Sequence, residues 1–492
     1  MVTPHLHRTD VLVVGAGPSG LMAGVVLARL GVAVTVIDGK DGPTRESRAL
    51  ALQARSMEIY DQLGLVERVL AECDPAPRVV PGFRTRTFDP ISFTGFGGTL
   101  TPYPGIYILE QSKNETLLRD ELLRLGGELR WRHQLRDLRI DPAADDPVEA
   151  LIDTPAGPTT IRAAWCIGAD GASSQVRRLR DIAFEGSTNP LRFFVADALD
   201  ATGLVEHAVN LRVSRDDFAL TFPMGAPGHH RILGVADDVD DDEALEAQVK
   251  VRLAAEFAVR YTRASWFASY RVHHRLAARF RDGPVFLVGD AAHVHSPVGA
   301  QGMNTGLQDA HNLACKLADV IHGRIEPDFL DRYEAERRPV AHRLVSTTDA
   351  AFARITSRGR FARFVRDRVV PRVALVAVRV VPRLVGTERA FGYLAQVRVH
   401  YWLSDDDRAA RHGHRHPVVG RRLPWTGGNY DVLRAFTWQL HGYGVEAGQV
   451  AEAAEMLGIE GHVFGADPHH RLAGSRLYLV RPDGFVAAAL PV

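Results

Sequence analysis

The sequence predicts an α/β fold in which a doubly wound, mostly parallel sheet is interrupted by an antiparallel one. Three observations predict it: a strand, glycine-rich turn and helix open the chain, the same order recurs twice, and an alternating stretch lies between the recurrences. The opening strand is Asp10-Val-Leu-Val-Val14. It runs into Gly15-Ala-Gly17-Pro-Ser-Gly20, a helix with Leu21, Gly24, Val25 and Ala28, and a second strand Val32-Ala-Val-Thr-Val-Ile37 that ends at Asp38. The first recurrence is the strand Thr160 to Ile167, closed by Gly168-Ala-Asp170-Gly171-Ala-Ser-Ser174-Gln-Val-Arg177-Arg178. In the second, Val285, Phe286, Leu287 and Val288 form an unbroken apolar block, the mark of a strand covered on both faces. That strand stops at Gly289-Asp290. A loop with Pro297, Gly299 and Gly302 follows, and from about Met303 the spacing is helical, with Leu307, Ala310, Leu313, Ala314 and Leu317 on one face.

Each turn has a chemical reading. Gly15 permits the tight bend, Gly17 lets backbone approach a pyrophosphate, and Gly20 lets the helix pack on the strand. Asp38 falls about 20 residues on, where a carboxylate accepts from ribose hydroxyls. An adenine dinucleotide site is therefore expected; the bland alternative is a glycine-rich turn between core elements. The turn at Asp290 presents bare backbone N–H groups and the positive end of a helix dipole. A ligand with hydroxyls for Asp290 and a ring that gathers negative charge suits it, and reduced flavin is such a ligand.

Composition bounds the rest. The 492 residues are enough for two or three domains, and 46% apolar with 24% charged residues is ordinary for a globular chain. Basic and acidic residues are equal at 59 each, so no global field recruits nucleic acid or acidic lipid. No apolar stretch reaches spanning length free of charge, and no signal-peptide core precedes Val11. Cys73, Cys166 and Cys315 form neither a CxxC nor a metal spacing. A cytoplasmic location is the simplest expectation, with no nucleic-acid and no membrane partner.

Between these motifs the chain is less explicit. Arg48, in the run Arg45 to Glu58, faces a pyrophosphate or a passing nicotinamide cofactor, or else solvent at a helix start. Residues from Pro75 to Pro104 read as irregular strands and loops, and Gln111 opens a helix expected to be capped by Ser112 with Glu115 three residues on. From Leu179 to His274 the alternation predicts antiparallel strands forming a lid, with Phe194, Phe222 and Phe267 as pocket candidates against a core-packing alternative. The acidic run Asp237 to Glu243 reads as a solvated loop and helix start. Arg332 to Val385 reads as a basic helical cover, with Arg354, Arg358, Arg360, Arg363, Arg366, Arg368, Arg372, Arg379 and Arg383 facing few acids. Past Tyr401 a separate small α/β domain closes on Leu477-Tyr-Leu-Val-Arg481. The expected domains are 1–178 with 275–385, the inserted sheet 179–274, and 400–492. His412-Gly-His-Arg-His416 lacks HExxH spacing and an acid to orient it, so no metal is expected. No Gly-x-Ser-x-Gly elbow or P-loop is present, and nothing supplies a protein nucleophile.

Together, Gly15-Ala-Gly17-Pro-Ser-Gly20, Gly168-Ala-Asp170-Gly171 and Gly289-Asp290 through Pro297 to Gly302-Met-Asn304 resemble the single-component aromatic hydroxylases of the para-hydroxybenzoate hydroxylase type. The chain is more closely similar to the aromatic polyketide hydroxylases of antibiotic biosynthesis, and Tyr333-Glu-Ala-Glu336-Arg-Arg-Pro339 also fits. The resemblance implies a Rossmann-like FAD-binding domain, a substrate-binding sheet domain and a thioredoxin-like C-terminal domain, here without redox cysteines. It implies that Gly15, Gly17, Pro18, Ser19, Gly20 and Asp38 hold the adenosine half of FAD, and that Arg48, Ala49 and Gln111 touch its pyrophosphate and ribityl region. Asp170 and Gly171 would serve both FAD and the nicotinamide cofactor, Asp290 the ribityl chain, and Pro297, Gly299, Gly302, Met303 and Asn304 the isoalloxazine. Ala300 replaces a glycine usual in that loop. The implied activity is monooxygenation of an aromatic or polyketide substrate by molecular oxygen through a flavin C4a-hydroperoxide, with NADPH or NADH bound transiently. Baeyer–Villiger insertion, antibiotic-inactivating hydroxylation and a non-oxygenating flavin-binding scaffold are the alternatives. A homodimer is left open.

Overall fold

Val11, Leu12 and Val13 are wholly buried because their strand, Leu6–Val14, runs through the middle of a sheet with helices on its faces. The computed structural model that shows this describes residues 6–44, 49–92, 97–214, 217–295, 301–356, 391–392, 395–401 and 417–492. The strand order is Gln134–Ile140, Val148–Asp153, Thr159–Gly168, Leu6–Val14, Val34–Asp38 and Glu128–Trp131. Val285–Leu287 runs parallel to the last residues of Thr159–Gly168. Leu6–Val14, Val34–Asp38, Thr159–Gly168 and Val285–Leu287 all point the same way. The turns that follow them therefore gather at one end of the sheet, where open α/β sheets bind ligands.

The alternating stretch forms a second sheet. Its order is His293–Val294, Arg263–Ala277, Phe184–Leu199, His230–Ala236, Phe218–Pro223, Val209–Val213, Arg78–Phe83 and Arg86–Thr87. Membership is thus wider than 179–274: Arg78–Phe83 comes from the first stretch and pairs parallel with Val209–Val213. Successive side chains on a strand face opposite ways. Phe194, Ala196 and Ala198 face the helix Asp242–Phe257, packing against its Leu245, Val249, Leu253 and Phe257. Val195 packs instead with Phe222 and Leu233 on the other face. The acidic run behaves as expected, since Asp241 caps that helix by accepting from the backbone N–H of Ala244. His293–Val294 pairs with Leu276 and Arg275, so the chain just past Asp290 is stitched to the edge of the second sheet.

The C-terminal unit has strands ordered Glu460–Phe464, Gln439–Tyr443, Arg476–Val480 and Val486–Pro491. The first two are parallel and joined by the helix Ala447–Leu457; the last two are an antiparallel pair. It docks on the first domain through buried ions. Arg481 donates to both oxygens of Glu336 (2.6 and 3.0 Å), Lys316 donates to Glu336 (2.9 Å), and Asn312 bridges Glu336 and Asp483. Burial pushes the Glu336 carboxyl up, but Arg481 and Lys316 outweigh it and hold it well below the usual carboxylate range. A second tie joins Arg422 to Glu58 at 2.9 Å.

Two expectations are corrected or limited. Ser112 is not a cap: the helix is Gln111–Arg124 with Glu110 at its N-cap, and Glu115 accepts from the backbone and hydroxyl of Thr44 instead. That long-range pull outcompetes the local capping box. The basic cover is helical as Asp331–Thr356, while Arg358 to Arg383 and the cluster His412 to His416 lie outside the described residues. Among the described residues, no helix is long and apolar enough to cross a membrane and no metal-ligating cluster occurs.

Two buried histidines make the fold sensitive to acid. His311 bonds to Gln62 Oε1 at 3.0 Å, His441 lies between Gln439 and Tyr443, and burial pulls each pKa down to about 3. Below roughly pH 6.5 the unfolded chain takes up these protons and the folded chain does not, so stability rises with pH across the interval from about 3 to 6.5. Each histidine is expected to remove about 1.4 kcal/mol per pH unit lost in that interval. Urea midpoints should fall between pH 7.5 and 5.5, before most carboxylates titrate; equal midpoints would contradict the neutral assignment.

Candidate active site

The first turn is shaped by glycines with unlike surroundings. Gly15 has φ +107°, and a Cβ there would lie 2.4 Å from the Ala169 carbonyl oxygen. At Gly20 a Cβ would meet Gly15 O at 1.9 Å, so neither position accepts a side chain. Gly17 differs, because nothing lies within 4 Å of a Cβ built there. It is the N-cap of Pro18–Arg29 and no side chain caps that helix, so its first N–H groups face open space. Asp38 stands beside this space and accepts from Ala16 N at 2.7 Å and Lys40 N at 2.8 Å.

The second turn carries an orphaned acceptor. One Asp170 oxygen takes Gln175 N (2.6 Å) and Val176 N (3.1 Å), while its Oδ1 is buried with no hydrogen-bond partner among the described residues. Burial raises the Asp170 pKa. Gly171, at φ +77°, again borders open space. An uncapped helix start, a glycine cradle and an unspent carboxylate oxygen fit a ligand with phosphates and hydroxyls, as FAD has.

The third turn is held from behind. Gly289 has φ +58°, and Ser19 Oγ is wedged so that Cβ atoms at Gly289 or Gly306 would meet it at 2.5 or 2.3 Å. Ser19 thus packs three elements together. Asp309, wholly buried, accepts from Gly289 N (3.2 Å), His293 Nε2 (2.7 Å) and Arg337 Nε (2.6 Å). Burial raises its pKa, but Arg337 and His293 prevail and hold it below the ordinary value. Asn304 accepts from Gln53 N and Ser56 Oγ and donates to Ala51 O, which sews the start of the helix Gly302–Ile321 to the strand Ala51–Gln53.

Between this turn and the second sheet lies an open cavity of about 250 Å³. Val195, Phe222, Leu233 and Tyr270 form the sheet side; Ala49, Asp290, His295, Gly302 and Met303 form the other. Of the pocket candidates only Phe222 borders it. Phe194 and Phe267 stack on each other at 6.0 Å on the far face, in the core against Asp242–Phe257, because strand alternation turns them away. Gln111 bends to Glu115 Oε1 (2.7 Å), and Asn304 is buried behind the wall. Arg48, Pro297, Gly299 and Ala300 lie outside the described residues. Sequence reasoning missed Val195, Leu233 and Tyr270, which lie on the sheet face opposite Phe194, and it missed His295, Asp309 and Arg337.

The turns and cavity can be set beside known proteins. Residues 8–348 match the family model described as FAD binding domain. The chain belongs to this family of FAD-dependent monooxygenases. It is 32% identical to the 6-methylpretetramide 4-monooxygenase of Streptomyces rimosus over 518 residues, covering 99% of this chain and 91% of that one. It is 30% identical to the 12-dehydrotetracycline 5-monooxygenase/anhydrotetracycline 6-monooxygenase of Streptomyces rimosus subsp. rimosus over 509 residues, covering 97% and 95%. The solved OxyS anhydrotetracycline hydroxylase from Streptomyces rimosus superimposes with a TM-score of 0.77 at 29% identity, covering 98% of this chain and 96% of that one.

The glycine geometry of this monooxygenase predicts a clean separation. Gly17→Ala is expected to keep the apoprotein's melting temperature and lose FAD affinity, since only the ligand's space is filled. Gly20→Ala should lower both. Thermal melts with flavin titration check this, and full FAD affinity in Gly17→Ala would contradict the cradle.

Proposed function

We propose that this monooxygenase hydroxylates a phenolic ring of a polycyclic, polyketide-type aromatic, using FAD, molecular oxygen and a nicotinamide cofactor. The carrying observation is the cavity, which sets an apolar sheet wall against the turn that ends in Asp290. Relatives named for 6-methylpretetramide and anhydrotetracycline support a fused-ring substrate.

In this reading Gly17, Asp38 and Asp170 hold the adenosine and pyrophosphate part of FAD, and Asp290 accepts from ribityl hydroxyls. When bound, FAD takes a hydride from the nicotinamide and activates oxygen for insertion into an aromatic carbon. The backbone at Gly302 and Met303, at the positive end of a 20-residue helix, favours negative charge beside it. Val195, Phe222 and Leu233 exclude water and hold the ring in reach, which limits wasteful release of hydrogen peroxide. The C-terminal unit reads as thioredoxin-like, supported by its parallel pair joined by a helix and its antiparallel hairpin. It contains no cysteine, so its role is structural.

A screen of phenols, naphthoquinones and anthracyclic ketones tests the reading, following NADPH oxidation together with oxygen uptake. A colourless protein, or one whose oxygen uptake ignores every ligand, would end it, and a lactone product would transfer it to Baeyer–Villiger insertion. Asp290→Ala is expected to weaken FAD retention by about 1.5–3 kcal/mol, roughly 10- to 150-fold, because ribityl hydroxyls lose a charged acceptor. Undiminished occupancy after dialysis would refute that role. Phe222→Leu should raise the fraction of NADPH that ends as hydrogen peroxide, whereas Phe194→Leu should lower stability and leave that fraction unchanged.

A further inference from the structure

An oxygen atom activated beside the cavity needs an acceptor, and when no substrate fills that cavity the role falls to its walls. We propose that Met303 is a self-oxidation site: between substrates the protein converts this thioether to a sulfoxide. The inference rests on the FAD and oxygen chemistry of the reading above and not on its choice of substrate.

Among the described residues that line the cavity, Met303 carries the one sulfur. The apolar wall of Val195, Phe222 and Leu233 offers no lone pair. Met303 is the second residue of the helix Gly302–Ile321 and is partly buried where that helix meets the core of the first domain. Its sulfur is also oriented. The wholly buried Tyr60 gives its hydroxyl hydrogen to Asn114 Oδ1, which turns the amide nitrogen of Asn114 towards Met303 Sδ at 3.6 Å. A divalent sulfur has two lone pairs and is a weak acceptor. The amide engages one of them and leaves the other for oxygen.

The other soft nucleophiles suit the task less well. Cys166 and Cys315 are buried, and burial pushes the pKa of all three thiols up, that of Cys73 to about 11. The reactive thiolate is therefore scarce at neutral pH, whereas a thioether needs no deprotonation. Tyr270, a phenol on the sheet side of the cavity, is the rival that remains. In the step, NADPH supplies two electrons and the thioether two. One atom of the oxygen molecule forms the bond to Sδ, and the other leaves as water with the hydride and one proton. Sulfur ends as the sulfoxide and the nicotinamide ends oxidised. A polar sulfoxide then replaces an apolar thioether in the wall that a substrate meets, a change that methionine sulfoxide reductases reverse.

The test uses the FAD-bound full chain without substrate, cycled through anaerobic reduction by NADPH or dithionite and admission of oxygen, with catalase present throughout. Peptide mass spectrometry then locates the added oxygen. Met456, 77% exposed, reports peroxide in bulk solution, and the fully buried Met22 and Met57 report the core. Sulfoxide at Met303 is expected to exceed that at Met456 at least about 10-fold, because the oxygen is delivered beside it. Added hydrogen peroxide, with neither reductant nor catalase, should reverse that order. Sulfoxide at Met303 no more abundant than at Met456 after cycling, oxygen on Tyr270 in its place, or the same order under added peroxide overturns the assignment. A protein that takes up no FAD, or whose yellow colour neither reductant bleaches, defeats the FAD reading first and the assignment with it.

Discussion

One buried carboxylate organises the active end of this monooxygenase. Asp309 sits on the long helix that begins at the cavity and receives bonds from the strand-tip turn, from His293 and from Arg337. Taking a carboxylate wholly out of water is costly unless its oxygens are filled, and here three donors fill them. The consequence is geometric. Gly289 holds a left-handed bend and presents Asp290 outward while its own N–H is spent inward on Asp309. The same bond set fixes His293, whose strand partner is Leu276 at the edge of the second sheet. One anion therefore locks the strand-tip turn to the helix behind it and to the lid above it.

Arg337 extends this lock outward. Besides Asp309 it reaches Tyr401 Oη (2.9 Å) and the Thr305 carbonyl (3.2 Å), and next to it in sequence Glu336 takes Arg481 from the C-terminal unit. Adjacent residues of one helix thus serve the cavity and the docking of a distant unit. The helix Gly302–Ile321 shows the same pairing, with Asn304 tied to the cavity wall and Asn312 and Lys316 tied to the docking ions. A C-terminal unit without cysteines still has a reason to stay: it clamps the helix whose first residues border the cavity. Losing Arg481 would leave the buried Glu336 with one cation, Lys316, and the Asn312 amide, a change of the kind that costs several kcal/mol.

How far this was legible in the sequence depends on range. The glycine turns and strand-tip acids are local signals, since each follows from what backbone can do within about six residues, and the structure gathers Gly15, Asp38, Asp170 and Asp290 at one end of the sheet. Asp309 and Arg337 carried no such signal. Both sit in helical runs where a charged residue reads as a solvated face, and only the fold reveals that they meet, 28 residues apart, in a dry interior. The capping expectation at Ser112 failed for the same reason, because the decisive partner of Glu115 is Thr44, 71 residues away. Side-chain parity was the subtler case. Phe194 and Val195 are neighbours, and nothing in their spacing says which faces the cavity; the amphipathic helix Asp242–Phe257 decides it by claiming the face with Phe194.

That division of the second sheet explains why its two faces can change independently. The face with Phe194, Ala196 and Phe267 must match a helix that is part of the chain, so its volume is constrained by packing at interior density. The face with Val195, Phe222 and Leu233 borders empty space on one side. A substitution there alters the shape offered to a ligand while leaving the helix-packed layer intact. The turns on the opposite wall are pinned by glycines that tolerate no Cβ and by an anion that tolerates no lost donor. On the proposed reading, substrate preference can therefore drift along the sheet wall, whereas the side proposed for the cofactor is held by constraints that a single methyl group would break.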